Sequence, residues 1–283
     1  SAASDVYKRQ AELNQLGYGQ EYQIKYTLEP VDATASLLTW ASDNPEVISV
    51  DKTGKLKVHT TKTASAVITA SYGPVVQNVT VTVADGRFWY SLGNGLGNGL
   101  DNNWYLDGNN ASVVSSDGNK TTVQMGSGYR GDLWLARSGK GKIVNVTPAD
   151  YRYFAIKVGF KSQLVPGKNK PNGCIKLEIF DDGIKKIGPE YFGTGGDANN
   201  RYEILGASEI STTEPNVLYY DLQSKYKTVT PTDWNQVFDL VQCKFVIADF
   251  PETAQTYDLY WIRSFKSIEE LQAFVDSENN TNE

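Results

Sequence analysis

Flat rings beside amide, carboxylate and guanidinium groups are the chemistry this chain offers. Trp104-Tyr105 lies in a run of Asn and Asp. Tyr129-Arg130 lies at a Gly-rich turn, Tyr191 precedes the stretch Gly193–Asp197, and Trp234 follows Pro231-Thr232-Asp233, where a short helix through Phe238 is expected. Indole and phenol rings stack on the apolar C–H faces of a sugar, while its hydroxyls need Asn, Asp, Gln or Arg partners. Such rings give large contact area at small entropic cost, and a binding site needs few well-placed polar groups. Trp104, Tyr129, Tyr191 and Trp234 are therefore candidate stacking rings, with Arg130 as a hydroxyl partner. Trp134 joins them; Leu133 and Leu135 flank it, so the direction its ring faces stays open. For every one of these rings the competing reading is core packing. Trp89, Tyr153, Phe180, Tyr219, Phe245 and Trp261 fall inside strand patterns and are expected in the core.

Other chemistries are narrower. Asp101, Asn103 and Asp107 crowd one oxygen-rich segment that could hold a structural Ca²⁺, although six to eight oxygens are needed and the EF-hand spacing is missing. A glycosidase needs only two carboxylates, and Glu178, Glu190, Asp197, Glu203 and Glu209 are available without a distinguishing context. The chain has 1 His, and it is His59, read as an exposed polar residue. Residues 88–283 contain none, which excludes Ser-His-Asp and Cys-His catalysis there. With 2 Cys the chain cannot build a four-cysteine zinc site; Cys174 and Cys243 are read as free, buried thiols. The doubled Gly-Asn-Gly-Leu of residues 93–100 puts Asn98 where a dinucleotide loop needs its third Gly, and no Gly-Lys-Ser/Thr follows, so it reads as a tight loop. A net charge of −6 supplies no field for nucleic acid.

At 283 residues, about two domains are expected. The aromatics divide the chain: 27 lie in residues 88–283, including five of the 6 Trp. Before that, short alternating runs closed by turn residues predict six or seven strands. They include Tyr22–Leu28, Leu38–Trp40, Val47–Val50, Leu56–Val58, Ala66–Ala70 and Val79–Val83. Asp85-Gly86 reads as the turn that ends this part. The remainder predicts nine strands, at Phe88–Leu92, Ser112–Ser115, Thr121–Met125, Asp132–Arg137, Tyr153–Phe160, Ile175–Phe180, Val217–Leu222, Gln242–Ala248 and Tyr257–Phe265. In the last of these, Tyr257, Leu259, Trp261, Arg263 and Phe265 are expected on one face. One short helix follows Ser267, with Glu269 and Glu270 in its first turn and an apolar stripe of Leu271, Phe274 and Val275. The fold class is all-β, two sandwiches with one C-terminal helix. Residues 1–19 read as a tail, 20–85 as the first domain, 86–276 as the second, and 277–283 as a polar tail.

Two resemblances attach to these segments. Leu28-x-Pro30, Ala33-Thr34, Thr39-Trp40-x-Ser42, Pro45, Val50-Asp51, Gly54-Lys55-Leu56 and Ala66-x-Ile68-x-Ala70 resemble the bacterial immunoglobulin-like domain of group 2. Lys62-Thr63-Ala64 stands where that family has a Gly. The closing Trp261-Ile262-x-x-Phe265 strand with Ser267-x-Glu269-Glu270-Leu271 resembles the jelly-roll C-terminal domains of Bacteroidetes surface glycan-binding proteins. The segments Tyr129–Leu133 and Tyr153–Lys157 are similar to that group too. The resemblances imply an Ig-like spacer presenting a jelly-roll domain that holds a polysaccharide. They also imply an exported, outer-membrane lipoprotein working beside other proteins of a glycan-uptake complex. The expected protein is a monomer with no nucleic-acid partner, given its acidic charge, and no catalytic activity, given the missing catalytic groups. An adhesive surface protein that binds another protein, and a glycoside hydrolase, stay open as alternatives.

Overall fold

The computed structural model describes residues 12–29, 34–101, 103–107, 110–126, 130–137, 144–161, 174–181, 185–186, 202–223, 233–248 and 256–281. The protein is all-β with one C-terminal helix. It forms two compact units, one reaching Trp89 and one starting at Tyr90.

The first unit holds β1 (Leu16–Tyr18), β2 (Glu21–Gln23), β3 (Thr39–Ser42), β4 (Ile48–Val50), β5 (Lys55–Val58), β6 (Ala64–Tyr72) and β7 (Val75–Ser91), whose last two residues belong to the second unit. β3, β6 and β7 pair antiparallel and β1 joins β7 in parallel; β2, β5 and β4 make a separate sheet. Leu13, Leu16, Ile48, Leu56, Val58, Ala66, Ile68, Val81 and Val83 form its buried core. Leu13, Leu16 and Tyr18 are buried, so the chain from residue 12 belongs to the fold and is not part of a tail. Asp85-Gly86 does not end the strand. Gly86 takes φ +67° and its N–H bonds the Thr61 carbonyl at 2.9 Å, so the pair kinks β7 and lets it run on.

His59 is half-buried rather than exposed, with Nε2 2.8 Å from Ser49 Oγ. Burial, then Lys57, hold its pKa below the ordinary 6.5, with Glu46 opposing. The unfolded chain therefore binds more protons around pH 6, and His59 withdraws stability as pH falls below 6.5 toward the folded value. His59→Gln should flatten the loss of urea midpoint between pH 7 and 5.

The second unit holds β8 (Tyr105–Asp107), β9 (Ser112–Ser116), β10 (Thr121–Gln124), β11 (Arg130–Ala136), β12 (Val144–Val146), β13 (Tyr153–Phe160), β14 (Cys174–Asp181), β15 (Lys185–Lys186), β16 (Glu203–Ile204), β17 (Asn216–Asp221), β18 (Phe238–Ala248), β19 (Thr256–Phe265) and α1 (Ile268–Thr281). All nine expected strands are present. One sheet runs β16-β17-β13-β19-β10-β9; the other runs β15-β14-β18-β11-β8, with β12 also on β18. The sheets meet where Phe245 of β18 packs on Phe154 and Tyr220, each 5.8 Å between ring centroids. Cys243 is a free, buried thiol, and burial pushes its pKa up. It pairs across from Ile179, whereas Cys174 pairs with Ala248 at the other end of the ladder.

The face assignment of β19 changes. Lys157 opposes Trp261 and Val158 opposes Leu259, which leaves Tyr260 as a bulge. The bulge flips the phase, so Trp261, Arg263 and Phe265 share a side with Asp258, away from Tyr257 and Leu259. α1 covers that side. Phe274 packs 5.6 Å from both Trp261 and Phe265, and Glu278 accepts bonds from Trp261 Nε1 and Lys157 Nζ, each 3.1 Å. Ser267 Oγ accepts the Glu270 N–H at 3.2 Å while the Glu270 carboxylate accepts the Lys266 N–H at 2.6 Å, a reciprocal N-terminal cap. Residues 277–281 are helix rather than polar tail, because Glu278 has partners to reach.

The Gly93–Leu100 loop is built for close approach. Gly97 N–H bonds the Trp104 carbonyl at 2.6 Å, and a Cβ on Gly93 would stand 2.2 Å from the Gly118 carbonyl oxygen. Backbone cannot yield as a side chain can, so Gly93→Ala should lower stability by about 2–3 kcal/mol. A urea melt would read this as a lower midpoint with unchanged slope.

Candidate functional site

β8, β11, β18 and β14 set one row of side chains beside another. Trp134 opposes Tyr105 and Lys244, Asp132 opposes Asp107, and Lys244 opposes Glu178. Period-2 alternation then puts Leu133 and Phe245 on the core side. Tyr105, Asp107, Asp132, Trp134, Glu178, Gln242 and Lys244 share the opposite, outer face.

That outer face carries a cluster of charges around one ring. Lys244 Nζ lies 3.1 Å from Asp132 Oδ2, 3.0 Å from Glu178 Oε2 and 4.4 Å from the Trp134 ring centroid. Gln242 Nε2 donates to Glu178 Oε2 at 3.4 Å. Lys244 is 7% and Asp132 6% exposed, a burial that charged side chains reach only when paired. The Arg137 guanidinium lies 5.0 Å from the same ring and pairs with Asp107. This second pair is open to solvent, its side chains 42% and 38% exposed. Tyr105 is buried beside it, and burial raises its hydroxyl pKa, with Arg137 opposing. The face thus has an aromatic floor, a fixed ammonium between two carboxylates, and an accessible Arg–Asp rim.

The sequence-predicted residues scatter. Of the predicted rings this face holds Trp134, only 9% exposed, and with it come the predicted carboxylates Glu178 and Asp107. Trp104 is a correction: it is 0% exposed, wedged 6.2 Å from Tyr90 and 5.6 Å from Phe245, and offers no ring face to a ligand. Trp234 is half-buried against Phe238 at 6.3 Å, and a turn, not a helix, leads into β18. Arg130 opens β11 opposite Ala248. Tyr129, Tyr191, Glu190 and Asp197 lie outside the described residues. Glu203 and Glu209, two of the predicted carboxylates, line one hollow with Tyr202 and Ile210, with none of the predicted stacking rings in its lining. Asp107 is taken by Arg137, the Asp101 carboxylate accepts the Asn103 N–H at 3.2 Å, and the Asn103 side chain accepts the Trp104 N–H at 2.9 Å. No group of three or more His, Cys, Asp or Glu able to hold a metal ion occurs among the described residues. Tyr153 and Tyr219 are half-exposed rather than core, 6.1 Å apart on the sheet's outer side.

Sequence reasoning missed Lys244, Asp132, Arg137 and Gln242. A signal existed: in Gln242-Cys-Lys-Phe-Val-Ile, Lys244 is the single charge within a run of buried residues.

Residues 95–271 match the profile of a family described as Domain of unknown function (DUF4979), and the chain belongs to that family. No curated protein matches the chain. Among solved structures, a carbohydrate-binding module of the β-sandwich superfamily is similar at 13% identity and TM-score 0.33, over 76% of this chain and 79% of that one. A provisional glycoside hydrolase from Bacteroides thetaiotaomicron is similar at 12% identity and TM-score 0.34, over 89% of each chain. The CBM51-2 and INT domains of ZmpB from Clostridium perfringens are similar at 11% identity and TM-score 0.18, over 88% of this chain and 46% of that one. Likeness at these TM-scores carries no argument about function.

Proposed function

We propose that the protein binds a neutral glycan, without catalysis, on the outer face of the β8-β11-β18-β14 sheet. The observation that carries this reading is the preassembled combination of the Trp134 ring with hydrogen-bonding groups held in fixed positions around it. Arg137 and Asp107 at the rim are the groups a sugar hydroxyl would meet first. The two cations described around the ring, Lys244 and Arg137, are already paired with carboxylates. Among the described side chains of this face no unpaired cation is available to a uronate or sulfate, and the glycan proposed is therefore neutral. Display on the cell surface, an outer-membrane lipid anchor, an Ig-like spacer role for the first unit, a jelly-roll second unit and companions in glycan uptake belong to the same proposal and rest on the sequence resemblances.

A glycoside hydrolase is the second reading, and one observation favours it. Asp132 and Glu178 both bond the Lys244 nitrogen, so their oxygens lie within about 6 Å of each other, near the separations that glycosidases use. Against it stands the lysine itself. An ammonium bonded to both carboxylates favours the ionised form of each, whereas glycoside cleavage needs a proton donor.

Affinity gel electrophoresis against plant and microbial polysaccharides tests the proposal. Retardation by at least one neutral polysaccharide is expected, with affinity about tenfold lower in Arg137→Ala and in Trp134→Phe, a loss of ~1.4 kcal/mol. Arg137→Ala should melt like the parent, because exposed pairs contribute at most about 1 kcal/mol. A folded protein that no polysaccharide retards would sink the reading. Reducing sugar released from a retarding polysaccharide would instead establish the hydrolase.

A further inference from the structure

The first unit carries an aromatic pocket that the site above does not use. The core-facing row of β6 runs Ala66, Ile68, Ala70, Tyr72, and it is well filled only as far as Ile68. At Ala70 the small side chain leaves space. The register sets Trp40 and Gln77 on either side of Ala70, and Val75 beside Tyr72. Tyr26 closes the other wall, its ring 5.5 Å from Trp40 and tilted by 60°. The pocket contains about 680 Å³ of free space, part of it open to solvent. Its walls are accessible: Tyr26 is 42% and Val75 55% exposed, and Trp40 is half-buried. Trp40 is set in position by Gly54, whose φ is +80°. A Cβ there would stand 2.7 Å from the indole, so the ring lies directly against the Asp51–Gly54 turn.

The rim is polar. Thr27, Glu29 and Gln77 line the same pocket, are exposed, and have no hydrogen-bond partner among the described residues. A hydrocarbon occupant would cover these groups without pairing them, at a desolvation cost. A pyranose ring meets both requirements at once, with a C–H face for Trp40 and Tyr26 and hydroxyls for Gln77 and Thr27. The Glu29 carboxylate disfavours an acidic sugar.

We propose that this pocket is a second sugar subsite, taking one pyranose ring of a neutral glycan. The proposal rests on the glycan reading for its ligand class and on its own residues for its place. Two sites on one chain would raise avidity for a long polysaccharide without any new contact at either.

The test is fluorine NMR of the full chain labelled with 5-fluorotryptophan, titrated with the methyl glycosides of glucose, galactose, mannose and xylose. Trp40→Phe and Trp134→Phe assign their two lines. A saturable shift of the Trp40 line is expected, with affinity weakened about 3–10-fold by Gln77→Ala, the loss of one hydrogen bond. Gln77 is exposed, so that variant keeps the fold. A Trp40 line unmoved by every glycoside overturns the inference, as does a line moved by cyclohexanol and by no sugar. The Trp134 line reports the sheet site in the same spectra. Movement of Trp134 alone overturns only this inference; movement of Trp40 alone supports it and counts against the sheet site.

Discussion

Replacing Lys244 by alanine is expected to destabilise the second unit by about 3–5 kcal/mol, the usual cost of removing one partner from a buried ion pair. The size follows from what stays behind. Asp132 and Glu178 would face each other across a space emptied of its ammonium, with little water to screen them. The Trp134 ring would lose the cation above it, worth about 1–2 kcal/mol when desolvated. The deficit should narrow as the pH falls toward 5. Two buried carboxylates without the lysine ionise together with difficulty, so one of them binds a proton at higher pH folded than unfolded. A group with a raised folded pKa contributes stability below it and loses that contribution above it. Lys244→Met combined with Asp132→Asn and Glu178→Gln should recover most of the loss, since neutral groups of similar shape often replace buried charges without penalty. Urea titrations of the parent and both variants at pH 5 and 7 check each step. A Lys244→Ala protein as stable as the parent at pH 7 would show that the cluster is hydrated in solution.

Trp104→Ala should cost a similar 3–5 kcal/mol, the range for deleting a fully buried aromatic side chain. In a unit of this size that lowers the melting temperature by roughly 10 °C. Trp104 packs between Tyr90 and Phe245, and Phe245 in turn touches Phe154 and Tyr220, so the cavity would open at the junction of the two sheets. Trp104→Phe should be far milder. It keeps a ring in place and removes the indole N–H, which is buried and has no hydrogen-bond partner among the described residues. An unsatisfied buried donor costs about 1–3 kcal/mol, so its removal offsets part of the lost packing. The pair of variants also separates packing from binding. Trp104→Phe should hold a glycan as the parent does, whereas Trp134→Phe should not. Loss of binding in folded Trp104→Phe would return that ring to the site.

The amino-acid sequence by itself determined the all-β class, the nine strands of the second part, and the helix start at Ser267. These are local matters: alternation, turn residues and a cap are set by neighbours a few positions apart. It also determined that no histidine chemistry operates beyond residue 87. The site was only partly legible. Trp134, Glu178 and Asp107 were each named for a different chemistry, but their meeting was not, because Lys244, Asp132 and Glu178 come from three strands whose register no local pattern specifies. Trp104 was misread because its Asn- and Asp-rich neighbours signal a loop, and a loop residue can still turn its ring inward. The kink at Gly86 and the bulge at Tyr260 were missed for a related reason. Alternation has a period but no absolute phase, and where both faces of a strand carry large side chains, one extra residue exchanges inside for outside. Which face of each strand meets the core, and so which charges gather around Trp134, was decided only when the sheets packed.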